Sequence, residues 1–162
     1  MAIDYSIEDT PLGTGGAIKK ALALCHDDDV IIVNGDTFFD VDLKKMMATH
    51  KKSGVLITMA IREMTHFSRY GTIAVSDGYV TRMIEKKPCE KGYINGGIYC
   101  VNRHLLDEAV RETFSFESDF LEKAVGSRKI RAFISDGYFI DIGVPADYAK
   151  AETELSGFGN RS

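Results

Sequence analysis

The stretch Val30-Ile31-Ile32-Val33-Asn34-Gly35-Asp36 joins an unbroken β-branched run to a polar turn. A continuous apolar run of this kind is typical of a parallel strand that is buried on both faces of a sheet. In open α/β sheets, ligands bind beyond the carboxyl ends of the strands. Asp36 is therefore a candidate cation ligand, although aspartate is also a common turn former.

Helical and strand patterns alternate around this stretch. We predict a short strand over residues 3–7, a turn over residues 11–16 that opens a helix reaching to about Leu24, a helix over 43–52 that stops at Gly54, and a strand over 55–61. Strand, helix and strand with short connections predict a βαβ unit. The second helix carries His50 among several lysines, so we expect this side chain to be solvated.

The second half of the chain predicts antiparallel insertions. We expect a hairpin over residues 71–85 turning at Asp77-Gly78, a strand over 93–101, helices over 103–112 and 118–125, strands over 130–134 and 138–142, and a helix opened by Pro145. The fold class is therefore α/β, with a mixed, mainly parallel sheet and flanking helices. Residues 1–162 form one domain, with a flexible tail over 156–162.

Composition narrows the function classes. A net charge of −4 argues against a nucleic-acid partner, which would need a basic face. No apolar run approaches the roughly 20 residues that cross a bilayer, and the first residues show no signal-peptide pattern. The odd set Cys25, Cys89 and Cys100 lacks metal-ligand spacing and suits reduced thiols. We therefore expect a cytoplasmic protein without a membrane partner.

A second aspartate, Asp141, lies inside the apolar segment Phe139-Ile140-Asp141-Ile142-Gly143. Burying a carboxylate is costly, so such a residue needs a metal, a basic group or several N–H donors as partner. Two oxygen ligands from separate strands, with room for water and phosphate, suit Mg²⁺. Asp36 and Asp141 together predict a magnesium site.

Three further glycine-containing motifs are candidate ligand contacts, each with a structural alternative. Residues 11–16, Pro-Leu-Gly-Thr-Gly-Gly, would expose backbone N–H groups at a helix start, or would only pack the helix. Tyr70-Gly71 and Ile94-Asn95-Gly96-Gly97-Ile98-Tyr99 would bring polar groups to strand ends, or would be β-bulges. The charged run Glu85-Lys86-Lys87-Pro88 could serve hydroxyls and phosphate, or be a solvated strand end.

The pair Asp40-Val41-Asp42 has two interpretations. An Asp-x-Asp pair after a strand binds a divalent ion in glycosyltransferases that use nucleotide sugars. Asp42 also precedes the helix that starts near Leu43, where an N-cap explains it simply. We favour the N-cap.

Taken in order, these motifs resemble the sugar-1-phosphate nucleotidyltransferase family, over residues 5 to about 155. The runs Asn34-Gly35-Asp36-Thr37-Phe38-Phe39-Asp40-Val41-Asp42 and Phe139-Ile140-Asp141-Ile142-Gly143 look most like the branch that makes GDP-heptose, a lipopolysaccharide or capsule precursor, from GTP and a heptose 1-phosphate. The resemblance implies a Rossmann-like nucleotide-diphospho-sugar transferase fold. It also implies transfer of a nucleotidyl group from an NTP to a sugar 1-phosphate, with Mg²⁺ as cofactor.

The resemblance further implies roles for individual residues. The nucleotide would be bound by Leu12, Gly13, Thr14 and Gly35, and the Mg²⁺ by Asp36 and Asp141. The sugar would be bound by Tyr70, Gly71, Glu85, Asn95 and Gly97. The catalytic residue would be Lys86, which would bind the sugar phosphate.

The family also begins with a first βα unit that carries a loop of the type Gly-Gly-x-Gly-Thr-Arg, and nothing before Ile3 supplies it. We therefore expect the isolated chain to be weak or inactive, with an exposed apolar sheet edge, and we expect a complementing N-terminal fragment or a homo-oligomer as partner. Two other functions are a metal-dependent glycosyltransferase and a non-catalytic nucleotide-sugar binding module.

Overall fold

The computed structural model describes residues 2–126 and 129–160. Its helices are α1 Gly13–Leu22, α2 Leu43–Ser53, α3 Glu122–Ala124 and α4 Pro145–Glu154. Its strands are β1 Asp29–Val33, β2 Thr37–Phe39, β3 Ile57–Phe67, β4 Thr72–Ser76, β5 Tyr79–Ile84, β6 Cys89–Asn102, β7 Ile130–Ile134 and β8 Phe139–Asp141. A π-helix, Phe116–Leu121, runs into α3, and a 3₁₀-helix, Leu155–Asn160, follows α4.

Six strands form one sheet in the order β1-β6-β3-β7-β5-β4, and β2 and β8 form a separate pair. The predicted mixed sheet with flanking helices is confirmed. The predicted parallel majority is wrong, because within the described residues β3 and β7 form the one parallel pairing. The physical reason is the long strand β6, which inserts antiparallel between β1 and β3 and separates the two strands of the predicted βαβ unit.

The strand β1 lies at the edge of the sheet and not in its middle. It pairs with β6, and its Ile31 and Val33 are 37% and 53% exposed. The predicted burial on both faces is therefore wrong, while the predicted exposed apolar edge is present. A β-branched run specifies a strand, but it cannot specify how many neighbours that strand has.

Side chains alternate between two apolar clusters on opposite faces of the sheet. On β3, Met59 and Ile61 join the larger cluster, whereas Ala60 between them joins the smaller one. The same alternation on β6 places Tyr99 in the larger cluster and Cys100 in the smaller one. This two-residue period makes the strands at the centre of the sheet the core of the molecule.

Several local signals form the predicted structures. The hairpin turn has positive φ at both Asp77 and Gly78, at 53° and 78°, as a tight two-residue hairpin requires. The carboxylate of Asp42 accepts a 2.9 Å hydrogen bond from the Lys45 amide, so the N-cap interpretation is confirmed. Gly54 ends α2 in the left-handed conformation, and Pro145 occupies the first turn of α4.

Three local predictions are wrong. Residues 3–7 form no strand, and Ile3 and Ile7 are 63% and 73% exposed, since no strand lies beside them. Residues 103–108 are successive turns, because the amides of Leu105 and Ala109 bond three residues back and not four. His50 is 2% exposed, because its face of α2 packs over β3. The flexibility of residues 156–162 stays a prediction, and residues 161 and 162 lie outside the described part of the chain.

Candidate active site

A cleft of about 510 Å³ opens between the start of β4, the end of β5, the middle of β6 and the π-helix with α3. Four residues singled out from the sequence, Gly71, Glu85, Lys86 and Asn95, line this cleft together. They come from three separate segments, so the sheet topology brings them together. The remaining lining residues are Thr72, Ile73, Met83, Ile84, Glu117 and Glu122.

Gly71 is required by a close backbone approach. A β-carbon built on this residue would lie 2.7 Å from the carbonyl oxygen of Ile84 on the neighbouring strand. A real side chain would push β4 away from β5 at the mouth of the cleft. The glycine therefore sets the width of the opening.

Asn95 is half-buried and held on both sides of its amide. Its Nδ2 donates to the Tyr99 hydroxyl at 2.6 Å, and its Oδ1 accepts from the Gly97 amide at 3.1 Å. Burial raises the pKa of Tyr99, so the phenol stays neutral and accepts this hydrogen bond. Among the described residues the second N–H of Asn95 has no hydrogen-bond acceptor, so it can donate to a ligand in the cleft.

Gly97 forms the bulge that the Gly-Gly interruption indicated. The pairing of β3 with β6 steps from Met59 opposite Tyr99 to Ile61 opposite Asn95, so β6 carries extra residues there. Gly97 has a φ of 71°, and its carbonyl accepts from the Asn34 amide at 2.9 Å. The bulge thereby fixes the turn that leads from β1 to Asp36.

Asp36 and Asp141 are adjacent although 105 positions separate them in the chain. The Ile142 amide donates to the Asp36 carbonyl at 2.9 Å, and Thr37 lies opposite Asp141 in the β2–β8 pair. One carboxylate oxygen of each residue is held locally, by the Thr37 hydroxyl at 3.3 Å and by the Gly143 amide at 2.8 Å. The described contacts leave the other oxygen of each carboxylate for an ion.

This donor set suits Mg²⁺, which is bound in proteins by one or two carboxylates together with water and substrate phosphates. Within residues 2–126 and 129–160, no group of three or more His, Cys, Asp and Glu side chains gathers into a metal cage. The two carboxylates would therefore hold the ion together with phosphate oxygens.

Tyr70 precedes the cleft residue Gly71 in the chain and contacts the strand that carries Asp141. Its ring packs edge-on against Phe139, with centroids 5.9 Å apart, and Arg69 donates to its hydroxyl at 3.0 Å. Burial raises the pKa of Tyr70, the hydrogen bond from Arg69 opposes this, and the charge of Asp141 raises it again. The neutral hydroxyl thus stands close enough to Asp141 to sense its charge.

The glycine-rich segment Gly13–Gly16 forms the first turn of α1 and packs tightly against the chain. A β-carbon on Gly15 would lie 2.2 Å from the ring of Phe114, and one on Gly16 would lie 2.1 Å from the Glu112 carbonyl. The Gly15 amide also donates to the Phe114 carbonyl at 2.9 Å. The packing alternative therefore accounts for Gly15 and Gly16, while Leu12, Gly13, Thr14 and Gly35 stay predicted nucleotide contacts.

Sequence reasoning missed Glu117 and Glu122 as cleft residues. Glu117 lies in the first turn of the π-helix, where the Ser118 amide bonds to the Ser115 hydroxyl at 3.2 Å. A helix-start carboxylate has a sufficient local explanation. No local signal could show that this turn faces β4 and β5.

Known proteins resemble this chain in sequence and in fold. The family model described as Nucleotidyl transferase matches residues 1–156, so the chain belongs to the nucleotidyl transferase family. It is 49% identical over 156 residues to the D-glycero-alpha-D-manno-heptose 1-phosphate guanylyltransferase of Aneurinibacillus thermoaerophilus, covering 96% of this chain and 68% of that protein. The protein with the same description from Campylobacter jejuni is 46% identical, covering 91% of this chain and 65% of that protein.

A solved structure agrees with the sequence comparison. The crystal structure of HddC from Yersinia pseudotuberculosis complexed with GMP-PN matches with a TM-score of 0.81 and 36% identity, covering 91% of this chain and 64% of that one. The chain thus spans about two thirds of the length of these relatives. The family and the fold expected from the resemblance are confirmed.

No helix in the described residues is both long enough and apolar enough to cross a membrane.

Proposed function

We propose that this chain supplies the sugar-binding and metal-binding part of an enzyme that transfers a guanylyl group from GTP to a sugar 1-phosphate, with a heptose 1-phosphate as substrate. One observation carries the proposal: the fold gathers Glu85, Lys86 and Asn95 in one cleft, and it joins the segments of Asp36 and Asp141 through a backbone hydrogen bond. Tyr70 precedes the cleft residue Gly71 in the chain and packs against Phe139, two positions before Asp141. The 49% identity to a heptose 1-phosphate guanylyltransferase supports the choice of substrates.

The reaction needs alignment and neutralisation of charge. A phosphate oxygen of the sugar 1-phosphate attacks the α-phosphorus of GTP, a new P–O bond forms, and the bond to pyrophosphate breaks. Glu85 and Asn95 orient the sugar through its hydroxyls, and the Lys86 ammonium pairs with the sugar phosphate. Asp36 and Asp141 would hold Mg²⁺, which when bound gathers the phosphates and offsets their charge.

The Asp-x-Asp alternative has less support, because the N-cap of α2 explains the position of Asp42 without a metal ion. A cytoplasmic location, the absence of nucleic-acid and membrane partners, and the homo-oligomer or complementing fragment stay predictions from the sequence.

Pyrophosphate release tests the proposal. GTP with D-glycero-D-manno-heptose 1-phosphate is supplied to the isolated chain, and to the chain joined to a segment carrying Gly-Gly-x-Gly-Thr-Arg. We expect weak release from the first and strong release from the second. Release at full rate by the isolated chain would contradict the predicted weakness. If neither form releases pyrophosphate, but the chain binds GDP-heptose, the non-catalytic binding module is favoured.

Lys86 has a neighbour that serves as a matched control. Lys86 lines the cleft, whereas Lys87 lies one position on and is also exposed. We expect Lys86→Gln to raise the KM for the sugar 1-phosphate and to lower kcat, and Lys87→Gln to leave both nearly unchanged. Equal effects of the two variants would remove Lys86 from the proposed role.

A further inference from the structure

The side-chain hydroxyl of Thr14 makes two hydrogen bonds within the protein. The hydroxyl accepts from the Phe116 amide at 2.8 Å and donates to the Glu117 Oε2 atom at 2.9 Å. A hydroxyl has a single proton to donate, so this one is already used within the protein. The Thr14 side chain therefore has no proton left to donate to a nucleobase.

The hydrogen bonds around Thr14 join two segments that are about a hundred residues apart. Besides the two bonds of its hydroxyl, the Gly15 amide donates to the Phe114 carbonyl at 2.9 Å and the Phe114 amide donates to the Leu12 carbonyl at 3.1 Å. The bare α-carbons of Gly15 and Gly16 allow this approach. The glycine-rich start of α1 is thus joined to the start of the π-helix by several hydrogen bonds.

Glu117 is the point at which these joined segments reach the cleft. Its carboxylate lines the cleft together with Glu85, Lys86 and Asn95. The Thr14 and Ser115 hydroxyls both contact Oε2, at 2.9 Å and 3.4 Å. Within the described residues, Oε1 makes no hydrogen bond, and a carboxylate oxygen of this kind is an acceptor for a sugar hydroxyl.

We propose that Glu117 is a specificity-determining residue that accepts a hydrogen bond from a sugar hydroxyl, and that Thr14 is the positioning residue that holds it. The proposal rests on the function proposed above, because it takes the cleft to be the sugar site. The glycine-rich segment then has two roles, since Gly13 stays a predicted nucleotide contact while the Thr14 side chain orients a group for the other substrate.

Calorimetric binding to the purified chain tests this without requiring turnover. The probes are D-glycero-D-manno-heptose 1-phosphate, GDP-heptose and GTP. The variants are Glu117→Gln, Thr14→Val, Thr14→Ser and the control Glu112→Gln, whose side chain is exposed outside the cleft. Thermal unfolding of each variant confirms that it is folded.

Glu117→Gln is expected to weaken binding of the heptose 1-phosphate by roughly ten- to a hundred-fold, which is the usual effect of losing a hydrogen bond to a charged group. The same substitution should change the Kd for GTP by no more than about two-fold. Thr14→Val should weaken binding of the heptose 1-phosphate by a smaller factor. Thr14→Ser should bind it with the affinity of the unsubstituted chain, because serine keeps the hydroxyl. Heptose 1-phosphate analogues that each lack one hydroxyl should identify the partner: for that analogue alone, Glu117→Gln should add no further loss.

Two results would overturn the proposal while leaving the proposed function intact. One is unchanged heptose 1-phosphate binding in Glu117→Gln. The other is a Thr14→Val effect confined to GTP, which would make the threonine hydroxyl a nucleobase contact. Absence of binding of all three probes by the unsubstituted chain would instead remove the proposed function, and this inference with it.

Discussion

The Ile142 amide donates a 2.9 Å hydrogen bond to the Asp36 carbonyl, and this contact joins the two segments that carry the candidate metal ligands. The β2–β8 pair continues the connection, with Thr37 opposite Asp141. The acidic pair is therefore held by backbone bonds, and the carboxylates can be changed without removing the bonds that place them.

The first prediction concerns these carboxylates. Asp36→Asn and Asp141→Asn should each lower magnesium-dependent kcat/KM by about a hundred-fold or more, because an amide offers the ion one neutral oxygen in place of a charged one. Asp40→Asn changes an exposed aspartate nearby and is the control. A titration of activity against Mg²⁺ checks the result, and equal losses in all three variants would argue against a specific site.

The second prediction separates a cap from a metal ligand. Asp42→Ala removes the acceptor for the Lys45 amide, so the free energy of unfolding should fall by about 1 kcal/mol. Asp40→Ala should change it much less. Urea unfolding measures both. A large loss of magnesium-dependent nucleotide binding in Asp42→Ala, with Asp141→Asn unaffected, would revive the glycosyltransferase alternative.

The third prediction concerns the packing of the glycine-rich start of α1. A β-carbon on Gly16 would lie 2.1 Å from the Glu112 carbonyl, whereas one on Gly35 would meet nothing within 4 Å. Gly16→Ala should therefore lower the free energy of unfolding by about 1–3 kcal/mol, the usual cost of overpacking. Gly35→Ala should leave it nearly unchanged. If both variants unfold at the same urea concentration, a β-carbon at position 16 fits without a clash, and the predicted overpacking is contradicted.

The fourth prediction is a pH dependence of stability. His50 is buried, with Nδ1 2.9 Å from the Thr58 hydroxyl and Nε2 3.5 Å from a carboxylate oxygen of Asp29. Burial, the largest cause, lowers the pKa of His50, and Asp29 opposes this only in part. The unfolded chain therefore takes up this proton more readily than the folded protein.

It follows that stability should fall as the pH drops below the usual histidine pKa of about 6.5, with a slope of at most about 1.4 kcal/mol per pH unit for one proton. Urea unfolding at several pH values between 7.5 and 5 measures this. His50→Gln should flatten the curve, whereas His104→Gln, which changes an exposed histidine, should not. A curve for the unsubstituted protein that rises toward acid pH would show the opposite shift.

Particular residues show why the sequence predicted some features and not others. Asp77-Gly78, Asp42, Gly54 and Pro145 were interpreted correctly, because turns and caps depend on side chains within a few residues. The predicted exposure of His50 and the predicted helix over 103–112 were wrong, because burial and helix continuation depend on contacts with distant segments. Glu117 was missed for the same reason, since its local role as a helix-start carboxylate hid its place in the cleft.

The sequence by itself determined the family, the α/β class and the identity of most candidate site residues. The reason is that the ordered motifs of glycine, aspartate and lysine are local and can be recognised in the sequence alone. Only the tertiary structure decided which of these residues meet. The strand β6 enters antiparallel between β1 and β3, the β2–β8 pair joins Asp36 to Asp141, and Thr14 reaches Glu117. Pairing of strands and close packing depend on segments that are a few tens to about a hundred residues apart, and a local pattern carries no information about such distant partners.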